Sequence, residues 1–428
     1  MSQAKPRPRE EALKEKWAGI ADEVPVNETQ HSFDTRERER AYVEAQFPKS
    51  DRELRARYDS YREEWYRRPK EFDPGPAPLA VICELVSTCN LGCSMCYTIE
   101  EAFQNKVVGT TRMLPWPVVR AVIDECAELD VSSILFSWRG ESTLYRSRDE
   151  QGSVFTFPDV LQYARGKGIM EVTSLTHGQN IGEEMAEAIV AAEPNWISFS
   201  VDGLGETYNK VRTPPSKAGK DYDAFGVVVE NIKRLVRIRG EQGKTKPQIR
   251  SNTIYLAIAD DPRGYHDFMA GIGVDWVTTN ELLDFRGPSI PDEAIRSYWA
   301  CQYPFQRLSV AANGSIVPCT GAHREEAALT LGIYKGSPPK RILDPKTGKF
   351  KDLDLPEQTL KSAWTSKKLE GIRKMHRQGR REKIDPGCRY CRHGAIKHGL
   401  EWLPDDWDME NMEWMEGATP VGRRVWRD

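Results

Sequence analysis

The run Leu79-Ala-Val-Ile-Cys83-Glu-Leu-Val86-Ser-Thr-Cys89-Asn-Leu-Gly-Cys93-Ser-Met-Cys96-Tyr97 decides the fold. Its first eight residues are mostly apolar, and Pro74-Gly-Pro-Ala-Pro78 breaks the chain cleanly before them. Residues 79–86 therefore read as a strand. A loop with three cysteines, spaced C-x3-C-x2-C, follows the strand's C-terminal end. Three thiolates this close can hold three irons of a 4Fe-4S cube and leave the fourth iron open, whereas electron-transfer ferredoxins supply four cysteines. A zinc site usually pairs C-x2-C with a second pair or with histidines. Here the closest flanking cysteine is Cys83, and no His lies between His31 and His177.

Downstream the pattern alternates strand and helix. Strands are expected at 131–138, 170–176, 196–201, 248–258 and 274–278, with helices at 116–129, 158–166, 183–192, 224–239 and 264–271. Six β-α units predict an α/β fold, a parallel sheet curved into a partial (β/α)6 barrel. In such barrels the chemistry collects at the C-terminal strand ends. Trp138-Arg139-Gly140-Glu141-Ser142 follows the second strand and Thr176-His177-Gly178 the third. Ser198-Phe-Ser200-Val-Asp202-Gly203 runs off the fourth, with Tyr208-Asn-Lys-Val-Arg212 beyond it. Gly140 allows close backbone approach, and Glu141 can accept bonds from an ammonium group. Period-two alternation puts Ser198, Ser200 and Asp202 on one face. Arg250, Asn252, Tyr255, Asn280, Glu281 and Arg286 are candidates for polar contacts at later strand ends, Arg250 and Asn252 sharing a face.

The cysteine loop resembles the signature of the radical S-adenosylmethionine (radical SAM) enzymes. The resemblance implies that Cys89, Cys93 and Cys96 ligate a 4Fe-4S cluster whose open iron chelates SAM. It implies reductive cleavage of SAM to methionine and a 5'-deoxyadenosyl radical. Gly140 and Glu141 are similar to the last Gly and the Glu of the family's Gly-Gly-Glu-Pro motif, which engages the methionine amine; Arg139 and Ser142 depart from it. By the same resemblance Ser198, Ser200 and Asp202 would lie near the ribose and carboxylate of SAM, and Arg212 would pair with the carboxylate. His177 stands where relatives carry Asn, and is a candidate cofactor contact, general base or plain turn residue.

Four of the remaining cysteines lie near the C-terminus. Cys301 and Cys319 flank Asn313-Gly314, a hairpin signal between strands at 308–311 and 315–317. A helix is expected over 360–377, and Cys388-Arg-Tyr-Cys391 closes the set. Four thiolates suit tetrahedral zinc as well as a cluster. The layout C-x17-C, hairpin, helix, C-x2-C resembles the single-cluster twitch form of the SPASM auxiliary domain, whose bearers include a dehydrogenase of aminocyclitol alcohols. That implies one auxiliary 4Fe-4S cluster on Cys301, Cys319, Cys388 and Cys391. Cys83 lies in the first strand and Cys126 on the helix line Val118, Val122, Cys126. Buried cysteines often pack as small hydrophobes; the sharper alternative makes one of them a hydrogen-atom donor in an epimerase.

Composition bounds the rest. The chain has 428 residues, 39% hydrophobic and 29% charged, with a net charge of -3, as expected of a soluble globular enzyme. That charge argues against a chain-wide nucleic-acid footprint. No 18-residue apolar window and no apolar leader are present, and nine cysteines, an odd number, favour a reducing cytoplasm. Ser50-Asp-Arg-Glu53 reads as a capping box with Ser50 as N-cap, opening a helix with Leu54, Tyr58, Tyr61 and Trp65 on one face. Four regions are expected: a charged helical extension (1–76), the radical SAM barrel (77–290), a twitch-like cluster domain (291–398) and a Trp-rich tail (399–428). Residues 335–357 read as a surface loop. The resemblance implies hydrogen abstraction from a sugar, aminocyclitol or nucleotide sugar, with an alcohol oxidised to a ketone and the auxiliary cluster taking an electron. Epimerisation of a sugar or peptide and modification of a peptide are the alternatives. The implied electron donor is of the flavodoxin or ferredoxin type.

Overall fold

The computed structural model describes residues 36–217, 221–254, 257–280 and 301–391, together with a strand pair, Trp407–Asp408 and Glu413–Trp414. Tyr255, Glu281 and Arg286 lie outside the described residues. Two helices, α1 (Arg36–Gln46) and α2 (Arg52–Glu71), precede β1 (Ala80–Cys83). Then come α3 (Trp116–Glu128), β2 (Ser133–Leu135), a hairpin of β3 (Arg146–Arg148) and β4 (Val154–Thr156), and α4 (Phe157–Gly166). The chain continues through β5 (Glu171–Thr176), α5 (Glu183–Ala192), β6 (Trp196–Ser200), α6 (Gly205–Val211) and α7 (Ala224–Glu241). The unit ends with β7 (Gln248–Ile254), α8 (Pro262–Gly271) and β8 (Trp276–Asn280).

Strands β1, β2, β5, β6, β7 and β8 pair in that order, all parallel, as the six β-α units predict. Alternation along them separates two faces. Val81, Cys83, Phe136, Val172, Ile197 and Ile249 join the helices in one apolar core. The opposite, inner face carries Glu84, Glu171, Ser198, Arg250 and Asn252, so Arg250 and Asn252 do share the interior side.

The N-terminal helices close the end of the sheet where the strands begin. Tyr42, Phe47, Tyr58, Tyr61 and Trp65 pack on Ala80, Met170, Trp196 and Trp276, each buried. Burial of one such side chain is worth roughly 1.5–3 kcal/mol. The predicted face of α2 is therefore right, but its N-cap is Asp51 rather than Ser50: Asp51 accepts the Leu54 N–H at 3.1 Å.

Beyond α9 (Tyr303–Gln306), β9 (Arg307–Val310) pairs in parallel with the free edge of β1. The predicted hairpin then adds β10 (Ser315–Val317), and β11 (Gly332–Tyr334) follows it antiparallel. Residues 335–357, read as a loop, contain a second hairpin, β12 (Arg341–Leu343) and β13 (Phe350–Asp352). Its turn is closed by Asp344 and by Gly348, whose φ is 67°. The edge strand β14 (Glu357–Gln358) completes ten strands. The single helix expected over 360–377 is two, α10 (Leu360–Trp364) and α11 (Lys367–Arg377). Ser366 breaks it, because its side chain caps α11 by accepting the Leu369 N–H at 3.2 Å. Among the described residues no helix is long and apolar enough to cross a membrane.

Candidate active site

The three-cysteine loop leaves β1 between two backbone clamps. On one side Glu141 N–H donates to Thr88 O at 2.9 Å. On the other, Gly92 and Ser94 N–H groups donate to Thr213 O and Val211 O. Two glycines permit this closeness. A Cβ on Gly140 would stand 2.2 Å from Val86 O, and one on Gly92 would stand 2.7 Å from the Pro215 ring. The sulfurs have polar neighbours: Leu91 N–H donates to Cys89 Sγ at 3.4 Å, and Cys96 Sγ lies 3.0 Å from Thr98 Oγ1. Burial pushes the Cys89 thiol up to about 12, and the Cys93 thiol to about 11 against the opposing pull of Arg212. Metal binding at these thiols therefore releases protons.

Glu141 is the hub of the strand ends. Its Oε1 accepts from Thr143 N–H (3.0 Å), Thr143 Oγ1 (2.6 Å) and Thr176 Oγ1 (2.7 Å). Its Oε2 accepts the His177 N–H at 2.9 Å and keeps a lone pair for one further donor. His177 is buried with both ring nitrogens engaged. Nδ1 accepts the Gln179 N–H at 3.0 Å, so Nε2 carries the proton and donates to Asn90 Oδ1 at 2.8 Å. Burial lowers its pKa. In this arrangement His177 braces Asn90, inside the cysteine loop, and has no nitrogen left to act as a base.

Asp202 lies off the end of β6, where its Oδ1 accepts Ile254 N–H at 3.0 Å and its Oδ2 accepts Arg212 Nε at 2.6 Å. The same guanidinium brings Nη1 to 4.0 Å from Cys93 Sγ. Arg212 thus serves Asp202 and a cysteine together. Ser198 sits deeper than predicted. It is fully buried and accepts Arg250 Nε at 2.9 Å, beneath the half-buried Ser200. Arg250 stacks 4.4 Å over Trp196 in the plugged end of the barrel, and burial pulls it down to about 9. Strand register sets Ser200 beside Asn252, and Asn252 beside Thr278, one layer above; the Asn280 amide donates to Asn252 Oδ1.

Arg139, where the motif departs from glycine, is buried in an ionic strut. It gives Glu84 two side-chain bonds, at 2.9 and 2.6 Å, and a backbone N–H bond at 3.0 Å. Its Nη1 reaches Glu325 Oε1 at 2.7 Å, and Lys340 pairs with Glu325 from the far side. Burial alone would raise the Glu325 carboxyl, but Lys340 and Arg139 hold it down at about 2. The Thr98 hydroxyl beside Cys96 donates to Arg139 O, and Trp138 Nε1 donates to Thr320 O, next to Cys319. This strut is what sequence reasoning missed. Its one signal was an Arg in place of a glycine, with no way to see a partner some 190 residues away.

The four C-terminal thiols lie within electrostatic reach of one another. Burial and the neighbouring Cys391 push Cys301 up to about 12; burial and the charges of Cys301 and Cys391 raise Cys319 further, and burial and the charges of Cys319, Cys391 and Cys301 raise Cys388. His376 Nδ1 accepts the Cys301 N–H at 3.2 Å. Its Nε2, and Nε and Nη2 of the nearby Arg381, are buried with no hydrogen-bond partner among the described residues. Among those residues, no three His, Cys, Asp or Glu side chains converge on a single ion. All-thiol donors and orphaned buried N–H groups fit an anionic iron-sulfur cluster.

Cys83 and Cys126 follow the packing reading and not the hydrogen-donor alternative. Both are fully buried in the apolar layer between β1 and α3. Cys83 faces away from Glu84 and the barrel interior, so neither thiol is placed to return a hydrogen atom to a substrate there.

Residues 84–245 match the family model of the Radical SAM superfamily. The chain is similar to the Fe-coproporphyrin III synthase of Methanosarcina barkeri, with 32% identity over 31% of this chain and 29% of that protein. It is similar to the tungsten-containing aldehyde ferredoxin oxidoreductase cofactor-modifying protein of Pyrococcus furiosus, with 24% identity over 49% of this chain and 53% of that one. A serine-type anaerobic sulfatase-maturating enzyme of Bacteroides thetaiotaomicron shares 29% identity over 38% of each chain. The matches thus span about half of these relatives or less. Among solved structures, BtrN in complex with AdoMet and 2-DOIA aligns with 73% of this chain and 92% of its own, at 14% identity and a TM-score of 0.39. Native anSMEcpe with bound AdoMet aligns with 75% of this chain and 92% of its own, at 14% identity and a TM-score of 0.49.

Proposed function

Since residues 84–245 are a Radical SAM superfamily domain, we propose that this chain binds and reductively cleaves SAM and oxidises an alcohol carbon of a small polar substrate to a ketone. The substrate class is a sugar, aminocyclitol or nucleotide sugar, and a flavodoxin- or ferredoxin-type protein supplies the reducing electron. Cys89, Cys93 and Cys96 hold the SAM-binding 4Fe-4S cluster; Cys301, Cys319, Cys388 and Cys391 hold the auxiliary one, in a twitch-like unit at 291–398. When bound, these groups would supply a hydrogen-abstracting 5'-deoxyadenosyl radical and an electron acceptor, the hydroxyl proton passing to solvent.

The protein's part is position and polarity. Glu141 offers its remaining Oε2 lone pair to the methionine ammonium. Arg212, kept charged by Asp202, offsets the negative charge at Cys93 and presents a fork to a carboxylate. Ser200, Asn252, Thr278 and Asn280 form a wall of hydroxyls and amides suited to a polyol or amino sugar. The observation that carries the oxidation reading is the ionic strut from Glu84 through Arg139 to Glu325, which ties the two thiol regions together.

The epimerase alternative loses support because Cys83 and Cys126 face the apolar layer. Peptide modification keeps some, because one relative is by name a sulfatase-maturating enzyme. The test is anaerobic reconstitution followed by iron counting and 5'-deoxyadenosine assay, beside a variant with Cys89, Cys93 and Cys96 changed to Ala. With four irons per cluster, ~8 Fe in the parent and ~4 in the variant are expected. Deuterium from a carbinol-labelled aminocyclitol should appear in 5'-deoxyadenosine. Transfer from a labelled peptide instead would replace the substrate class, and a parent unable to cleave SAM would end the proposal.

A further inference from the structure

The four-thiol site is flanked by donors that lack acceptors. His376 lies in the last turn of α11, and its Nδ1 is taken by the Cys301 N–H. The proton must then sit on Nε2, which is buried and meets no acceptor among the described residues. Arg381 opens the short turn Arg381–Lys383, which precedes Cys388. It is 1% exposed, and its Nε and Nη2 meet no acceptor either. Native proteins pair more than about 90% of buried polar groups. Leaving one unpaired costs about 1–3 kcal/mol, and more when it is charged. Three orphan donor nitrogens on two side chains beside four thiols call for a guest that is anionic and rich in acceptors.

We propose that Arg381 and His376 donate hydrogen bonds to the sulfurs of the cluster held by Cys301, Cys319, Cys388 and Cys391, and that they raise its reduction potential. The inference rests on the cluster reading of that site. Hydrogen bonds to sulfur and local positive charge favour the more negative, reduced state. Removing either donor makes the cluster harder to reduce.

The test is an EPR-monitored redox titration of the full chain, reconstituted anaerobically, against Arg381→Gln, Arg381→Lys and His376→Leu. The Gln variant should shift the reduction equilibrium of one cluster by tenfold or more, about 59 mV for a one-electron couple. The Lys variant, which keeps the charge, should shift it less, and the signal of the three-cysteine cluster should not move in any variant. Unchanged midpoints in all three variants at ~8 Fe per chain would overturn the donor assignment alone. Loss of the auxiliary iron from the Lys variant as well as the Gln variant would make Arg381 a fold brace and overturn it too. Zinc at the four cysteines of the parent would overturn the cluster reading together with this proposal.

Discussion

Within the loop that carries Cys89, Cys93 and Cys96 the protein has answered its own polar side chains. Asn90 is held by His177 and Asn180, Cys93 faces Arg212, and Thr98 links Cys96 to the Arg139 carbonyl. Around Cys301, Cys319, Cys388 and Cys391 it has not, since His376 and Arg381 keep buried donors without acceptors. The first loop is shaped by its surroundings before any iron arrives. The second, on the proposed reading, is completed by its cluster. In the proposed function, the loop that keeps one side open for SAM is the one preorganised by protein contacts, and the second site leaves its last bonds to the auxiliary cluster.

Experiments can break or sharpen that contrast. The largest effect is expected from the Cys89, Cys93, Cys96 triple Ala variant, which should lose SAM cleavage altogether yet keep the far-UV circular dichroism and thermal midpoint of the parent. Next comes metal loading. Reconstitution should raise the thermal midpoint of the parent and of the triple variant alike, and should fail to raise it when Cys388 and Cys391 are Ser. Equal stabilisation through the first loop would erase the distinction. Arg139→Met leaves Glu84 buried without its ion pair and Glu325 with Lys340 alone, and should cost about 3–5 kcal/mol in urea unfolding. Gly140→Ala forces a methyl into the Val86 and Thr88 carbonyls, and should cost about 1–3 kcal/mol while lowering iron only in the first site. The smallest effect belongs to Cys126→Ala, a core change of about 1 kcal/mol or less that should leave the rate of 5'-deoxyadenosine formation intact.

Much of this was legible from residues. Six strands, their parallel order and the motif at each strand end follow from local periodicity, because a buried strand and a packed helix each need only about ten residues to declare themselves. Alternation correctly grouped Ser198, Ser200 and Asp202, yet it carries no depth. Only the aromatic plug from α1 and α2 shows that Ser198 belongs with Arg250 rather than with the open end. The cysteine spacing named both sets of thiols. It could not reveal Arg139 and Glu325 as partners, since ion pairs across distant segments leave no periodic trace. Ser366 breaking a helix and Asp51 displacing Ser50 as a cap are choices between adjacent polar residues, which differ by a hydrogen bond of about 1 kcal/mol.

The pairing of β9 with β1 has a consequence in time. Val81 is aligned with Leu308 across the middle of the sheet, so β1 waits for a neighbour made roughly 220 residues later. At 5–20 residues per second a ribosome needs about 10–45 s to supply it. Through that interval the nascent chain carries the thiol loop beside a bare strand edge, the kind of surface that recruits other strands. The exposed edge predicts that truncation just before Arg307 yields a protein that aggregates although all six barrel strands are present.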